Sequence, residues 1–129
     1  MPLYEDDLAL IQAASFGGHA ALVTPWLLER LRAQTPPVRR VLDIGCGAGV
    51  SSRVLSDAGF DVVGIDPSEA LIEHARRAAP QATLRVGSAY DAPLPAADAI
   101  LAVGEPLTYH PPDSDADAAL SGFFRAAAA

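Results

Sequence analysis

Three glycines alternate with small residues at positions 45–49, which read Gly-Cys-Gly-Ala-Gly. An apolar run at 41–44 precedes them, and a segment with helical apolar spacing follows. Glycines between a buried strand and a helix let the backbone turn sharply and approach a ligand closely. They also leave backbone N–H groups at the positive end of the helix. The loop therefore predicts a site for an anionic or nucleotide-like group.

Asp66 is the acidic residue that a nucleotide site of this kind needs. It ends a second apolar run, at 60–65, about 20 residues after the first glycine. A carboxylate at that place can accept hydrogen bonds from both hydroxyls of a ribose, which indicates an adenosine-containing ligand. The alternative is a helix N-cap, because Pro67 suits the first helical position and Glu69 the capping-box position.

The glycine spacing distinguishes two classes of nucleotide-binding protein. The dinucleotide fingerprint G-x-G-x-x-G needs glycine or alanine at position 50, where this chain has Val50, and the third glycine is instead Gly49. With this G-x-G-x-G pattern, residues 41–49 resemble the first motif of class I S-adenosylmethionine-dependent methyltransferases. Residues 62–68 resemble the second motif of that family and residues 97–100 the fourth. An NAD-dependent oxidoreductase is the rival nucleotide-binding class.

The resemblance covers residues 38 to 110 and implies S-adenosylmethionine as cofactor and S-adenosylhomocysteine as product. By this likeness, Asp43 and the backbone of Gly45 and Gly47 would hold the amino and carboxylate groups of the methionine moiety, and Asp66 the ribose. Other residues would surround the adenine: Ile65 and Pro67 would flank it, Ala89 and Tyr90 would line its other side, and Ser88 stands where many members have an acidic residue. The predicted cofactor-binding set also includes Cys46, Gly49 and Gly104.

Methyl transfer from a sulfonium needs alignment and exclusion of water more than a catalytic triad. A hydroxyl or amine acceptor would be helped by a general base, and Glu105 and Tyr109, just after the fourth predicted strand, are the candidate catalytic residues. Glu105 could instead be a solvated carboxylate or face the sulfonium, and Tyr109 could pack in the wall. Cys46 has no identifiable base and is interpreted as a packing residue.

Apolar periodicity places these residues on alternating strands and helices. The predicted fold is α/β, a Rossmann-like doubly wound parallel sheet with strands 1–4 of the class I methyltransferase fold. Its predicted strands lie at 41–44, 60–65, 83–86 and 97–103, with helices at 50–58 and between Asp66 and Pro80.

Two helical segments precede the sheet, one at 4–11 and one from Pro25, with Thr24 as its cap and Gly17-Gly18 as a hinge before it. The second segment ends before the prolines at 36 and 37. We expect an N-terminal helical cap over residues 1–37 and a methyltransferase domain over 38–129.

Composition excludes several classes of protein. The 129 residues carry a net charge of −7 with no basic stripe, which disfavours nucleic acid. One cysteine and three scattered histidines predict no disulfide and no metal site. The acidic start resembles no signal peptide, and no apolar run approaches the roughly 20 residues that span a bilayer. The expected location is the cytoplasm.

The family fold normally continues for three more strands, so the resemblance implies a domain incomplete at its C-terminus, a fragment or a half that needs a partner. The fourth strand would then be an edge, which favours self-association. The expected function is methyl transfer to a small-molecule acceptor, and the alternative is a non-catalytic cofactor-binding fragment or interaction module.

Overall fold

The computed structural model describes residues 17–90 and 94–103 and four helical positions in the C-terminal segment, at 118, 121, 125 and 127. Four strands form one sheet in the order β3-β2-β1-β4, and every neighbouring pair is parallel. The elements are α1 (Gly17–Arg32), β1 (Arg40–Ile44), α2 (Val50–Asp57), β2 (Asp61–Asp66), α3 (Glu69–Ala78), β3 (Thr83–Val86) and β4 (Ala99–Ala102). The predicted alternation of strands and helices is confirmed.

Both faces of the two central strands, β1 and β2, are buried. On one face, Val41 of β1 packs with Leu31 of α1 and Leu55 of α2. On the other face, Leu42 belongs to a second cluster, which the C-terminal helical residue Ala127 contacts. Because successive side chains of a strand point to opposite sides, a strand covered on both faces is apolar at nearly every position. The continuous apolar runs in the sequence therefore correspond to the two-sided core that a doubly wound fold requires.

α1 corrects one prediction about the N-terminal region. The helix runs unbroken from Gly17 to Arg32 with Pro25 inside it, so neither a hinge at Gly17-Gly18 nor a helix start at Pro25 is correct. Thr24 does not act as a cap: its buried hydroxyl lies 2.9 Å from the Ser51 hydroxyl of α2. An internal proline removes a backbone hydrogen bond, but tertiary packing of an apolar face can outweigh that local cost.

The division of the chain at residue 37 stays a prediction, and the predicted helix at 4–11 lies outside the described residues. The second half of α1 contributes Leu31 to a cluster shared with β1 and β4, with Leu27 and Leu28 packed against it. This part of the helix therefore belongs to the same core as the sheet. The predicted end of the helix, before the prolines at 36 and 37, is confirmed.

The ends of α2 and α3 follow from local chemistry. Gly59 comes directly after α2 and its C-cap residue, with a φ of +100°, a conformation that glycine adopts without steric cost. At the start of α3, the Ser68 side chain accepts a hydrogen bond of 3.2 Å from the backbone N–H of Leu71. Ser68 is thus the N-cap of α3, and the alternative prediction of Asp66 as that cap is wrong.

β4 is the outermost strand on the β1 side of these four. Just before it, one carboxylate oxygen of Asp98 accepts hydrogen bonds of 2.9 Å from the backbone N–H groups of both Arg39 and Arg40. This bridge fixes the amino end of β4 beside β1. Within the described part of the chain, no helix has the length and apolar character to cross a membrane.

Candidate functional site

The carboxyl ends of β1, β2 and β3 lie side by side and bring separated segments together. Ile44 of β1 is in register with Ile65 of β2, and Asp66 is in register with Val86 of β3. The glycine loop at 45–49 therefore leaves the sheet next to Asp66, and residues 87–90 leave it on the other side of Asp66. In open α/β sheets, ligands bind at this edge.

Gly47 and Gly49 have similar backbone conformations but different surroundings. Their φ angles are +55° and +88°, in the left-handed region. A Cβ at Gly49 would lie 3.0 Å from both the Cα and the Cβ of Ala75, so this glycine allows the loop to pack on α3. A Cβ at Gly47 would meet nothing within 4 Å. The loop is therefore closed against the protein at Gly49 and open at Gly47, where a ligand can approach the backbone.

Asp66 joins the loop to the start of α3. It is 7% exposed, and its Oδ2 accepts a 3.1 Å hydrogen bond from the Gly47 N–H while its Oδ1 accepts a 2.9 Å bond from the Ser68 N–H. Burial raises the pKa of Asp66, and the two hydrogen bonds oppose that effect. An ionised carboxylate has about four acceptor positions, so each oxygen can accept one more hydrogen bond. This capacity fits the two hydroxyls of a ribose.

Asp43 lies deeper, near the end of β1. It is 2% exposed, and the Ser52 hydroxyl of α2 donates a 2.7 Å hydrogen bond to its Oδ2. Burial raises its pKa to about 6; the Ser52 bond opposes this effect, and the negative charge of Asp66 adds to it. Asp43 is therefore mainly ionised at neutral pH and sensitive to mild acid. A buried carboxylate of this kind is well suited to an ammonium group.

Cys46 is a packing residue in this geometry, as its sequence context indicated. Its backbone N–H donates a 3.0 Å hydrogen bond to the Ile65 carbonyl oxygen, and its side chain is buried. Burial raises the pKa of the thiol, and the negative charges of Asp43 and Asp66 raise it further. The thiol stays protonated at neutral pH and is a poor nucleophile.

The other predicted cofactor residues lie around the same edge. Ile65 and Ala89 are buried in one core cluster, against which Tyr90 packs. Pro67 is exposed, and the Ser88 hydroxyl accepts a 3.1 Å hydrogen bond from the Tyr90 N–H. Their roles toward a ligand stay predictions. Gly104, Glu105 and Tyr109 lie outside the described residues.

Two serines of this region were not identified from the sequence. Ser68 caps α3 and binds Asp66 through its backbone, and its place just before an amphipathic helix was a usable signal. Ser52 holds Asp43. It lies three residues before the buried Leu55, on the same face of α2, but no local pattern shows that a carboxylate on β1 faces it.

Comparison with known proteins agrees with this geometry. The family described as "Methyltransferase domain" matches residues 41–128. The chain belongs to this methyltransferase domain family. The predicted class I methyltransferase fold is confirmed, and the cofactor of such domains is S-adenosylmethionine.

Individual curated relatives match about half of the chain. An uncharacterised methyltransferase of Mycobacterium tuberculosis (strain ATCC 25618 / H37Rv) is 37% identical over 76 residues, which cover 51% of this chain and 31% of the relative. A ubiquinone biosynthesis O-methyltransferase of Coxiella burnetii (strain RSA 331 / Henzerling II) is 39% identical over 66 residues, covering 50% of this chain and 28% of that protein. The chain thus spans less than a third of the length of these curated relatives.

Solved structures match more of the chain. A TehB-like S-adenosylmethionine-dependent methyltransferase from Corynebacterium glutamicum superimposes with a TM-score of 0.73 and 25% identity, covering 95% of this chain and 68% of that one. The amino pentose methyltransferase CalS10 from Micromonospora echinaspora matches with a TM-score of 0.72 and 23% identity, covering 95% of this chain and 52% of that chain. The second match supports the fold alone.

Proposed function

We propose that the loop at 45–49 and Asp66 bind S-adenosylmethionine, and that the protein containing this domain transfers the methyl group to a small-molecule acceptor. The observation that carries the proposal is the junction of Gly47 and Asp66. The open side of Gly47 lies beside a carboxylate that holds the loop and keeps acceptor positions free. A nucleoside with two ribose hydroxyls and a charged amino-acid tail matches this junction.

Each part of the site would bind a different part of the cofactor. Asp66 would accept hydrogen bonds from the ribose hydroxyls, while Asp43, in its ionised form, would receive the ammonium group. The first turn of α2 follows the loop directly, and its unpaired N–H groups carry the positive end of the helix dipole toward the carboxylate of the methionine moiety. Pro67, Ser88 and the segment that follows it would border the adenine.

The bound cofactor supplies a methyl group already activated on a positively charged sulfur. The chain's own residues therefore need to hold the reactants in line and exclude water, and alignment of this kind contributes much of the rate in such displacements. Two buried carboxylates at one edge also favour a cationic ligand over a neutral one. Glu105 and Tyr109 are proposed as the groups that accept a proton from a hydroxyl or amine acceptor.

A small molecule is the proposed acceptor class for two reasons. The net charge of −7 repels nucleic acid backbones. Curated relatives include the ubiquinone biosynthesis O-methyltransferase and a rabbit (Oryctolagus cuniculus) glycine N-methyltransferase that is 44% identical over 50 residues. Both names describe enzymes of small acceptors, one for oxygen and one for nitrogen.

The test is transfer of a labelled methyl group from S-adenosylmethionine to a panel of phenols, amines and amino sugars. Glu105→Gln and Tyr109→Phe variants are assayed beside the wild type, with S-adenosylhomocysteine affinity measured for each. Transfer that either variant abolishes without loss of affinity supports the proposed roles. Binding without transfer to any acceptor supports the non-catalytic alternative, and saturable binding of NADH in place of S-adenosylhomocysteine contradicts the proposal.

A further inference from the structure

We propose that Ser52 is a positioning residue of the cofactor site, whose hydroxyl holds the Asp43 carboxylate in the orientation that receives the ammonium group of the ligand. The inference rests on the proposed function, because it assigns a purpose to Asp43 as part of a cofactor site. In this proposal Ser52 does not contact the ligand. It determines the orientation in which the Asp43 carboxylate of β1 contacts the ligand.

The contact is short, buried and directional. Ser52 has no exposed surface, and its Oγ donates to Oδ2 of Asp43 at 2.7 Å. Among the described residues, Ser52 is the one hydrogen-bond donor to this carboxylate, and no donor reaches its other oxygen, Oδ1. One oxygen is thus held by the protein, and the other is left for a donor from outside. An ammonium group carries three donors and matches an ionised oxygen of this kind.

The surroundings of Ser52 keep its hydroxyl in place. A Cβ built on Gly64 of β2 would lie 3.1 Å from the Oγ of Ser52, 3.1 Å from the Sγ of Cys46 and 2.6 Å from the Cδ2 of Leu84. Glycine at position 64 therefore lets the β2 backbone pack closely against the serine. Because the hydroxyl is confined on this side, the orientation of Asp43 is set by the packing of α2 on the sheet.

The charges around Asp43 show why this hydrogen bond matters. Within residues 17–90 and 94–103, three groups face the carboxylate: the Ser52 hydroxyl from α2, the Asp66 carboxylate from the end of β2 and the protonated Cys46 thiol from the loop. Burial and Asp66 both disfavour the ionised form, while Ser52 favours it. Removal of the hydroxyl therefore raises the pKa of Asp43 and reduces the ionised fraction available to a cation at neutral pH.

The experiment measures the affinity for S-adenosylhomocysteine by calorimetry from pH 5 to pH 8. The ligand's own ammonium group stays charged through most of this range, so an affinity that requires ionised Asp43 falls by up to about tenfold for each pH unit below the pKa of Asp43. Ser52→Ala is expected to move the midpoint of this decline upward by about one pH unit or more, because hydrogen bonds to charged groups are strong. At pH 7 the expected loss of affinity is about twofold to tenfold.

Ser51→Ala is the matched control. It removes the neighbouring buried hydroxyl of the same helical turn, which is bonded to Thr24 and not to Asp43. This variant is expected to lower thermal stability without moving the pH midpoint. In an Asp43→Asn background, the further change Ser52→Ala is expected to alter the affinity by less than about twofold, since a residue that acts through another loses its effect when that residue is replaced.

Three results would overturn the inference while the wild type still binds the ligand. They are an unchanged midpoint in Ser52→Ala, an equal shift in Ser51→Ala, and a full effect of Ser52→Ala in the Asp43→Asn background. If Ser52→Ala does not fold, Ser52→Cys, with a weaker donor of similar shape, carries the same prediction with a smaller shift. A folded wild type that does not bind S-adenosylhomocysteine would instead refute the proposed function.

Discussion

Replacement of Gly49 by alanine tests whether the glycine loop is built to pack on α3. Gly49 immediately precedes α2, with a φ of +88°, and a Cβ at this position would lie 3.0 Å from the Cα and Cβ of Ala75 and 3.3 Å from its carbonyl oxygen. Ala75 is completely buried, and two of these three atoms belong to its backbone. Gly49→Ala therefore forces the loop away from α3.

Two separate costs make up the expected effect. A non-glycine residue in the left-handed region costs about 1–2 kcal/mol. Overpacking of a filled interior costs about 1–3 kcal/mol more. Gly59 provides the comparison, because its φ is +100° but a Cβ there would meet nothing within 4 Å. Gly49→Ala should therefore lower the free energy of unfolding by about 2–5 kcal/mol and Gly59→Ala by only about 1–2 kcal/mol.

The assay is equilibrium unfolding in urea, with the free energy of unfolding obtained by linear extrapolation for the wild type and both variants. Equal slopes of free energy against urea would show that the variants expose the same surface on unfolding. If Gly49→Ala destabilises no more than Gly59→Ala, the close packing of the loop on Ala75 is not a source of stability, and the reasoning is refuted.

Three further predictions concern the same region. Gly47→Ala should cost about 1–2 kcal/mol of stability, like Gly59→Ala, but should also weaken S-adenosylhomocysteine binding measured by calorimetry, because its Cβ occupies the open side of the loop; unchanged affinity would place the ligand elsewhere. The pKa of Asp43, about 6 in the folded chain against 3.8 for a free side chain, means that the native state binds the proton more tightly. As the pH rises from 4 to 6, the free energy of unfolding should therefore fall by about 3 kcal/mol because of this group. Urea unfolding of Asp43→Asn over the same pH range should show a smaller fall. Thr24→Val should lower the free energy of unfolding by about 1–3 kcal/mol, because it deprives the buried Ser51 hydroxyl of this partner, whereas Thr24→Ser should retain most of the stability in the same assay.

Local chemistry in the sequence was sufficient to predict the sheet. The apolar runs that became β1 and β2 are bounded by residues with clear conformational preferences, such as the glycines of the loop and Gly59. Strands buried on both faces have few polar positions, so their approximate bounds can be read from composition. β1 begins one residue before the predicted 41–44, and β2 lies one residue after the predicted 60–65. β3 has the bounds that the sequence predicted, residues 83–86.

Long-range contacts account for what the sequence could not predict. Pro25 is a strong local signal for a helix start, yet α1 passes through it because Thr24 and the leucines that follow pack on α2 and the sheet. Such contacts depend on which elements become neighbours. The role of Asp66 was ambiguous for a local reason instead: its spacing permitted either a ribose ligand or a helix cap, and Ser68, just before the helix, carried the usable signal for the cap.

The residues of the candidate site also fall into two groups, those placed by local sequence and those placed by long-range contacts. The position of the glycine loop and Asp66 at one edge of the sheet could be predicted because each directly follows or ends a strand, while their roles toward a ligand stay predictions. The hydrogen bond between Ser52 and Asp43 could not, since it joins two elements whose facing residues are determined by packing of the helix on the sheet. The positions of the predicted residues Glu105 and Tyr109 relative to this edge stay predictions.

The most direct test of the cofactor site is a thermal melt of this 129-residue chain with and without S-adenosylhomocysteine, for the wild type and for Asp66→Asn. A ligand that binds only the native state raises the melting temperature by mass action. If Asp66 binds the ligand, S-adenosylhomocysteine raises the melting temperature of the wild type. The Asp66→Asn side chain has one acceptor oxygen in place of two, so its affinity is expected to be about tenfold or more lower and its rise in melting temperature smaller. A cooperative melt of the wild type that the ligand does not shift would contradict the cofactor site.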